Sequence, residues 1–347
     1  MASHRPVHII GFAQLEHVLC DTTHDEAEMV RIVTTAALAD AGIARTAVGF
    51  TCSGSNDYYM GRPFSFVMAL DGAGAWPPIR ESHVEMDAAW ALYEAWVRLQ
   101  HGDVDIAMVY GFGRSSLGEP DAIRAMMLDP YFLSPLGITP RSINAIQARA
   151  LLEAGLTTEA ELAEIAHRSR TDGNRNPRVP DATLTDVATL LAAPPVAPPL
   201  RPHDFATGTD GAAAIILQVG GGGPRIHGLA HRIDPHQPGS RDLTQARSAA
   251  LAAEAAGLFE APVDAAELYA TCTSHEVLLR RALQLGEDVQ ISPSGGALAA
   301  DTPMVSGLVR IGEAANLIRH GGCTRTVAHV AQGAALQHNL VCVLEET

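Results

Sequence analysis

Lysine is missing from this sequence, in which all 24 basic residues are arginine. A Schiff base on a protein side chain forms through the lysine amine, so this absence excludes that chemistry for the chain. The basic residues are outnumbered by 39 acidic ones, and the formal net charge is −15. Because phosphate-rich partners need basic patches, this balance argues against binding to nucleic acid or to an anionic membrane.

Long apolar runs are absent as well. No stretch reaches the length that crosses a membrane, and the start MASHRPVHII lacks the apolar segment of a secretion signal. The five cysteines are scattered without CxxC spacing. This pattern is typical of buried thiols in a reducing compartment and indicates neither a disulfide framework nor a zinc site. We therefore expect a cytoplasmic protein without a metal centre.

Short β-rich runs alternate with alanine-rich helical runs, which is the pattern of an α/β protein with largely parallel, buried strands. Residues 24–41 carry apolar side chains at helical spacing and stop at Gly42, which predicts a helix. The apolar runs 104–110 and 212–219 predict strands. The glycines at 220–223 predict a linker, since no lysine follows them as it would in a phosphate-binding loop.

One structural unit occurs twice in the chain. VHIIGFAQ in the first half matches RIHGLAHR in the second, and FTCSGS matches YATCTSH. Helical stretches that end in LQHG and IRHG follow, each before an apolar strand. The offsets between matching residues are nearly constant, at 217, 220 and 219 for the pairs Gly11 and Gly228, Cys52 and Cys272, and Gly102 and Gly321. A long common offset predicts a duplicated fold.

A segment between the repeats has no counterpart in the second half. We divide the chain into a first half at 1–117, an inserted subdomain at 118–206 and a second half at 207–347. An insertion of this size on a duplicated scaffold favours a lid or a substrate-shaping subdomain. A long structural loop without a ligand role is the alternative.

The second repeat carries a motif of a known family. The block SPSGGALAADTPMVSGLVRIGEAA at 292–315 resembles the NPSGG…GHPxGATG signature of the thiolase superfamily, in its sterol-carrier-protein-like, "lipid-transfer protein" branch. ELYATCTSHE at 267–276 resembles the EvHDcFtxxE segment of that branch. The resemblance covers essentially the whole chain. It implies an α/β thiolase fold with two similar βαβαβαββ halves in a five-layer αβαβα core, together with the inserted loop subdomain.

The catalytic residues of thiolases are replaced in this chain. Counting back from the glycine that ends the helix, the position of the cysteine nucleophile falls on Glu85. The GHP histidine aligns with Thr302, and the HDCF histidine aligns with Tyr269. The late cysteine falls near Gln332 and Gly333. Claisen condensation through an acyl-enzyme is therefore excluded, because its nucleophile and activating base are missing.

The remaining groups suit a different reaction, the cleavage of a carbon–carbon bond without a nucleophile. A buried carboxylate such as Glu85 acts as a general base when burial raises its pKa, and Tyr269 can transfer a proton or hold an oxyanion. Backbone N–H groups of the SPSGG and AQG segments can bind a thioester oxygen. The predicted substrate- and oxyanion-binding residues are Ser294, Gly295, Gly296, Thr302, Gln332 and Gly333. Structural alternatives remain open: Glu85 could complement a helix dipole, and Tyr269 could be a packed strand residue.

Some actinobacterial members of the thiolase-like branch are steroid side-chain aldolases that lack the thiolase residues, and this chain is similar to them. The resemblance implies retro-aldol cleavage of a β-hydroxyacyl-CoA with a steroid or lipid side chain. No cofactor is expected, since coenzyme A belongs to the substrate. A non-catalytic subunit beside an active paralogue is one alternative, and a lipid- or acyl-CoA-binding protein is another.

The resemblance also implies partners. Aldolases of this kind work with a small zinc-ribbon and OB-fold protein of the DUF35 type. Family members are dimers, so we expect either a homodimer or a heterodimer with a thiolase-like paralogue.

The missing nucleophile leads to a prediction about thiols. We expect the protein, with its DUF35-type partner, to cleave a β-hydroxyacyl-CoA after alkylation of its accessible thiols at an unchanged rate, because no step uses sulfur. Turnover is measured as acyl-CoA release before and after treatment with iodoacetamide. Loss of turnover in a protein that stays folded would argue for a sulfur nucleophile.

Overall fold

The computed structural model describes residues 4–74 and 80–347 of the chain. Within these ranges ten strands form one hydrogen-bonded sheet. The strands are β1 (Val7–Gln14), β2 (Phe50–Gly54), β3 (Glu81–Val84), β4 (Ile106–Gly113), β5 (Gly211–Val219), β6 (Arg225–Ile233), β7 (Ala265–Leu268), β8 (Gln290–Ile291), β9 (Arg325–Gln332) and β10 (His338–Glu345).

Twelve α-helices accompany these strands in the described ranges. They are α1 (Glu26–Ala41), α2 (Asp57–Met60), α3 (Ser65–Ala69), α4 (Ala88–His101), α5 (Pro120–Met126), α6 (Pro140–Glu153), α7 (Glu159–Gly173), α8 (Val187–Ala192), α9 (Arg247–Ala255), α10 (Thr273–Ala282), α11 (Gly296–Ala299) and α12 (Ser306–Arg319). A membrane-spanning helix would have to be longer and more apolar than any found in this part of the chain.

Local sequence explains where α1 begins and ends. The side chain of Asp25 accepts a hydrogen bond from the N–H of Glu28, and the Glu28 side chain accepts one from the N–H of Asp25. This capping box satisfies free donors of the first turn, so the helix begins at Glu26, close to the predicted start. Gly42 ends it with φ +66°, a conformation that glycine adopts without strain.

The strand order confirms the duplication. It runs β3-β2-β4-β5-β1 in the first half and continues β6-β10-β9-β7-β8 in the second, so each half repeats the other in reverse. In each half the two outer pairings are parallel and the two inner pairings are antiparallel. The sheet is therefore mixed, and the prediction of largely parallel strands was wrong. The halves meet where His8 of β1 pairs with Arg225 of β6.

The layers of the fold are defined by the face of the sheet that each helix covers. Buried side chains of α4 and α12 pack in one cluster with strands of both halves, so these two helices form the central layer. Helix α1 covers the outer face of the first half, and α9 and α10 cover that of the second. The predicted five-layer αβαβα core is therefore confirmed.

The region between β4 and β5 carries α5 to α8, where the sequence predicts the insertion. The glycines at 220–223 lie between β5 and β6, as expected for a connection between the halves. The exact limits of the inserted subdomain, 118–206, stay a prediction.

One glycine in each repeat lets a helix approach a strand closely. A Cβ added to Gly11 would lie 2.3 Å from the carbonyl oxygen of Ala37, and one added to Gly228 would lie 2.2 Å from that of Ala256. Both contacts are with backbone that cannot move aside without displacing α1 or the end of α9. The duplicated glycine is therefore required by packing rather than by local conformation.

We expect Gly11→Ala and Gly228→Ala each to lower the free energy of unfolding by about 1–3 kcal/mol, because the added methyl group overpacks the strand–helix contact. Urea unfolding followed by circular dichroism measures the change. Gly239→Ala is the control, since a Cβ there meets nothing within 4 Å. Equal stability of all three variants would contradict the packing explanation.

Candidate active site

A cavity of about 560 Å³ opens between the insertion and the two halves. The insertion supplies much of its apolar wall, including Met127, Leu128 and Leu133. Its polar lining includes Tyr59, Arg124, Tyr269, His275, Asp301 and Gln332. The cavity has the size and composition of a binding site for a small, largely apolar molecule with a few polar contacts.

Four polar side chains of the cavity form a hydrogen-bonded chain. The Tyr269 hydroxyl donates to Asp301 Oδ1 at 2.9 Å. Arg124 donates through Nη2 to Asp301 Oδ2 at 3.0 Å and through Nε to the Tyr59 hydroxyl at 3.0 Å. Asp301 is only 2% exposed. The carboxylate is thus buried between a phenol and a guanidinium that both donate to it.

Each member of this chain comes from a different part of the fold. Tyr269 follows β7 directly, and its N–H donates to the carbonyl of His329. Asp301 follows α11, and Arg124 lies on α5 of the insertion. Tyr59 lies on α2, shortly after β2. β2 and β7 are corresponding strands of the two halves, and each belongs to the parallel part of its half. The two tyrosines of the site follow the carboxyl ends of these strands.

The surroundings of the two phenols differ in charge. Burial raises the pKa of Tyr269 well above its usual value, and the nearby carboxylates of Asp301 and Asp87 raise it further. Burial also raises the pKa of Tyr59, whereas Arg124 acts to lower it. Both phenols are protonated at neutral pH. Burial alone would lower the pKa of Arg124, but Tyr59, Asp301 and Tyr269 raise it on balance, so the guanidinium stays charged.

Gln332 and Gly333 line the cavity, at the position predicted for them. The Gln332 Oε1 accepts a hydrogen bond from the N–H of Asp87 at 3.2 Å. Since the oxygen is held in this way, the amide nitrogen of Gln332 is the end of the side chain that remains as a donor. Gly333 turns the backbone at φ +79° just beyond β9.

Thr302 is fully buried behind Asp301 and is not among the residues that line the cavity. Its hydroxyl lies 2.7 Å from His17 Nδ1 and 2.8 Å from the hydroxyl of Thr209. The N–H of Thr209 donates to the carbonyl of Asp301 at 2.9 Å. The position that resembles the GHP histidine therefore supports the segment that presents Asp301.

The SPSGG turn also lies outside the cavity lining. The Ser294 hydroxyl donates to Glu267 Oε2 at 2.8 Å, and Arg310 contacts both groups at 2.7 Å. Gly295 and Gly296 have φ of +96° and +66°. A Cβ on Gly295 would lie 2.6 Å from the Cα of Gly173, so the turn packs directly on α7. In this geometry the motif anchors the insertion to the second half.

Glu85 does not lie where the count from Gly102 predicts. Its side chain is 46% exposed, its Oε1 accepts from the N–H of Asp57 at 2.6 Å, and it is not part of the cavity lining. Helix α4 begins at Ala88, three residues later, and Asp87 caps it. The count therefore misplaces the start of the helix by three residues.

Asp87 is buried at the start of the two helices of the central layer. Its side chain accepts from the N–H of Ala89 at the start of α4 and from the N–H of Gly307 at the start of α12. Burial raises its pKa to about 6, while these hydrogen bonds act in the opposite direction. Asp87 therefore holds the two helices of the central layer together at their N-termini.

None of the five cysteines lines this cavity. Cys52, Cys272, Cys323 and Cys342 are buried. Burial raises the pKa of Cys272 to about 11, which leaves the thiol protonated. Residues 4–74 and 80–347 also contain no group of three His, Cys, Asp or Glu side chains placed to hold a metal ion.

Sequence reasoning missed Asp301 and Arg124 as site residues. For the two tyrosines of DYYMGRPF at 57–64 it left open a pocket wall or a dimer contact, and Tyr59 lines the cavity. Asp301 directly precedes Thr302, so a carboxylate beside the position of the missing histidine was a usable signal. The contribution of Arg124 carried no such signal, because it depends on how the insertion folds back. His275, which could be read as a helix-capping residue, lines the cavity and has no hydrogen-bond partner at Nε2 in the described part of the chain.

The fold itself is the thiolase fold. The structure superimposes on the Ltp2-ChsH2(DUF35) aldolase with a TM-score of 0.83 at 18% identity, covering 98% of both chains. It superimposes on human mitochondrial 3-ketoacyl-CoA thiolase with a TM-score of 0.80 at 14% identity, covering 99% of both. The Bacillus anthracis acetyl-CoA acetyltransferase gives 0.80 at 12% identity over 100% of both chains. No family model matches the sequence, and no curated protein matches it.

Three buried histidines make stability depend on pH. Burial lowers the pKa of His17 to about 3 and those of His275 and His329 to about 4. An unfolded chain protonates these groups near pH 6.5, so the unfolded state binds more protons and stability falls as the pH drops from about 6.5 towards 4.

We expect each of these histidines to lower the free energy of unfolding by about 2 kcal/mol at pH 5 relative to pH 7. His17→Gln should reduce the total loss by that amount, whereas His101→Gln, at a side chain 80% exposed, should leave it unchanged. Urea midpoints at the two pH values test this. The same pH dependence in both variants would disprove the contribution of His17.

Proposed function

We propose that this chain is a carbon–carbon lyase that cleaves a β-hydroxyacyl-CoA by a retro-aldol reaction. The observation that carries the proposal is the Tyr269–Asp301 pair, buried in the cavity of a thiolase fold whose lining contains no cysteine. Retro-aldol cleavage needs a base for the β-hydroxyl, a donor for the thioester oxygen and a proton for the α-carbon. It needs no nucleophile and no Schiff base.

The base is Tyr269 acting together with Asp301. The hydroxyl of Tyr269 already donates to the carboxylate, so the phenol can pass its proton to Asp301 while it takes the proton of the substrate hydroxyl. The carbonyl then forms at the β-carbon, and the electrons of the Cα–Cβ bond enter the thioester as an enolate. This arrangement lets a protonated phenol serve as a base at neutral pH.

The enolate oxygen needs hydrogen-bond donors. The amide nitrogen of Gln332 and the backbone at Gly333 are the donors that we assign, since both residues line the cavity. The Gln332 oxygen is held by the N–H of Asp87, which fixes the orientation of the amide. One such donor typically contributes a factor of about 10²–10³ to kcat.

The walls of the cavity support a bulky, apolar substrate. The insertion lines it with Met127, Leu128 and Leu133, and Phe205 adds an aromatic face. Apolar walls and a volume of about 560 Å³ favour a bulky hydrocarbon group next to the reacting carbon, such as the side chain of a steroid or another lipid. The insertion then serves as a substrate-shaping subdomain.

The assembly is also part of the proposal. The similar aldolase is a complex of Ltp2 with ChsH2(DUF35), which supports a DUF35-type partner for this chain. We further propose a homodimer, or a heterodimer with a thiolase-like paralogue, in the cytoplasm. Coenzyme A enters as part of the substrate, without any other cofactor.

Substitutions of two carboxylates and one phenol test the assignment. Asp301→Asn and Tyr269→Phe should each lower kcat by about 10²-fold or more, because each removes a proton acceptor from the relay. Glu85→Gln should change kcat by less than about twofold, since this exposed side chain lies outside the cavity lining. The rate is measured as acyl-CoA and carbonyl release, with and without the DUF35-type partner.

The substrates are 3-hydroxydecanoyl-CoA, its 3-methyl derivative and 1-hydroxycyclohexylacetyl-CoA, which release an aldehyde, an acyclic ketone and a cyclic ketone. A large effect of Glu85→Gln with little effect of Asp301→Asn would restore the sequence-based assignment. Tight binding of all three thioesters without cleavage would favour an acyl-CoA carrier. Cleavage that appears only with a thiolase-like paralogue, and survives all three substitutions, would favour a non-catalytic subunit.

A further inference from the structure

We infer that Tyr59 is a second proton-transfer residue, the general acid that protonates the α-carbon after the carbon–carbon bond breaks. This inference rests on the proposed lyase function and assigns the step that Tyr269 and Asp301 leave open. It derives from the opposite charges that lie beside the two phenols of the cavity.

The hydroxyl proton of Tyr59 is not used in its hydrogen bond with Arg124. Arg124 Nε donates to the Tyr59 oxygen at 3.0 Å, so the oxygen serves as an acceptor in that contact. A guanidinium has no acceptor atom, and the phenol proton must point elsewhere. Tyr59 lines the cavity, so a molecule bound there can accept this proton. The proton of Tyr269, in contrast, is already donated to Asp301.

Charge separates the roles of the two phenols. If Tyr269 lost its proton to the substrate, the phenolate would lie beside the carboxylate of Asp301 at 2.9 Å, which is repulsive. If Tyr59 lost its proton, the phenolate would lie 3.0 Å from the guanidinium of Arg124, which is attractive. The other charged groups near Tyr59 are Asp301 and Asp121, and Arg124 contacts both. Two titratable groups in opposed environments define an acid and a base.

The proton transfers balance. The β-hydroxyl proton moves to Tyr269 as the proton of Tyr269 moves to Asp301, and the Cα–Cβ bond breaks to give the carbonyl product and the thioester enolate. Tyr59 then donates its proton to the α-carbon, the new C–H bond forms, and the Tyr59 phenolate is left beside Arg124. A proton returns from Asp301 to Tyr59 through solvent and restores the starting state without any net uptake.

The neighbouring tyrosine provides a matched control. Tyr58 is 57% exposed and is not part of the cavity lining, so Tyr58→Phe removes the same atom outside the site. Both variants are tested with 3-hydroxy-2-methyldecanoyl-CoA in D₂O, which gives octanal and propanoyl-CoA that carries one deuterium at C2. An acid fixed on one face of the enolate delivers that deuterium in a single configuration.

We expect the wild type and Tyr58→Phe to give one configuration at C2. Tyr59→Phe should give a mixture, because water then supplies the proton, and its kcat should fall by about 10²-fold. Tyr59→His, which keeps a proton donor, should retain part of the selectivity. Circular dichroism and the urea midpoint establish whether each variant is folded. If Tyr59→Phe does not fold, the configuration obtained with Tyr59→His is compared with that of the wild type instead.

The outcomes separate the two proposals. A single configuration and an unchanged rate in Tyr59→Phe overturn the role of Tyr59 and leave the lyase function standing. A slower variant with unchanged configuration shows a structural role and also overturns the inference. A wild type that cleaves neither this substrate nor the three thioesters described above overturns the lyase function, and the assignment of Tyr59 falls with it.

Discussion

The ion pair between Arg124 and Asp301 joins the insertion to the second half of the fold, at 3.0 Å between Nη2 and Oδ2. A carboxylate that is 2% exposed would be strongly destabilising without a partner, and Arg124 supplies one. The same contact places Tyr59 and Tyr269 at the two ends of one hydrogen-bonded chain. The insertion therefore closes the cavity and also sets its charge distribution.

The duplicated scaffold explains why a site can form at this place. β2 and β7 hold matching places in the strand order of the two halves, and Tyr59 and Tyr269, which follow these strands, line the same cavity. Only the first half carries an insertion between its matching strands, so the symmetry is broken on one side of the cavity. The insertion therefore gives the two sides of the cavity different neighbours.

A buried carboxylate lies at the start of both helices of the central layer. The N-terminus of α4 is occupied by Asp87, which accepts hydrogen bonds from both central helices. Two free N–H groups are thereby satisfied within the fold. The reacting groups that we propose lie instead on loops and short helices around the cavity, where an acid and a base with different neighbours can be placed.

Local patterns in the sequence determine much of this protein. The helix that stops at Gly42, the strands on either side of the glycine linker and the two glycines at the strand–helix contacts all depend on neighbouring residues or on the repeat. Such features can be predicted, because backbone conformation and apolar periodicity act over short distances. Tyr269 is singled out by the resemblance of 267–276 to a family segment, and it directly follows β7.

Only the tertiary structure decided which polar groups meet. Glu85 and Asp87 are two residues apart, yet one is exposed and the other is buried, because Glu85 lies in the turn before α4 whereas Asp87 caps that helix in the central layer. Arg124 and Asp301 are 177 positions apart, and their contact depends on how the whole insertion packs. Charge pairing across such distances is set by packing and desolvation, which no local pattern of residues records.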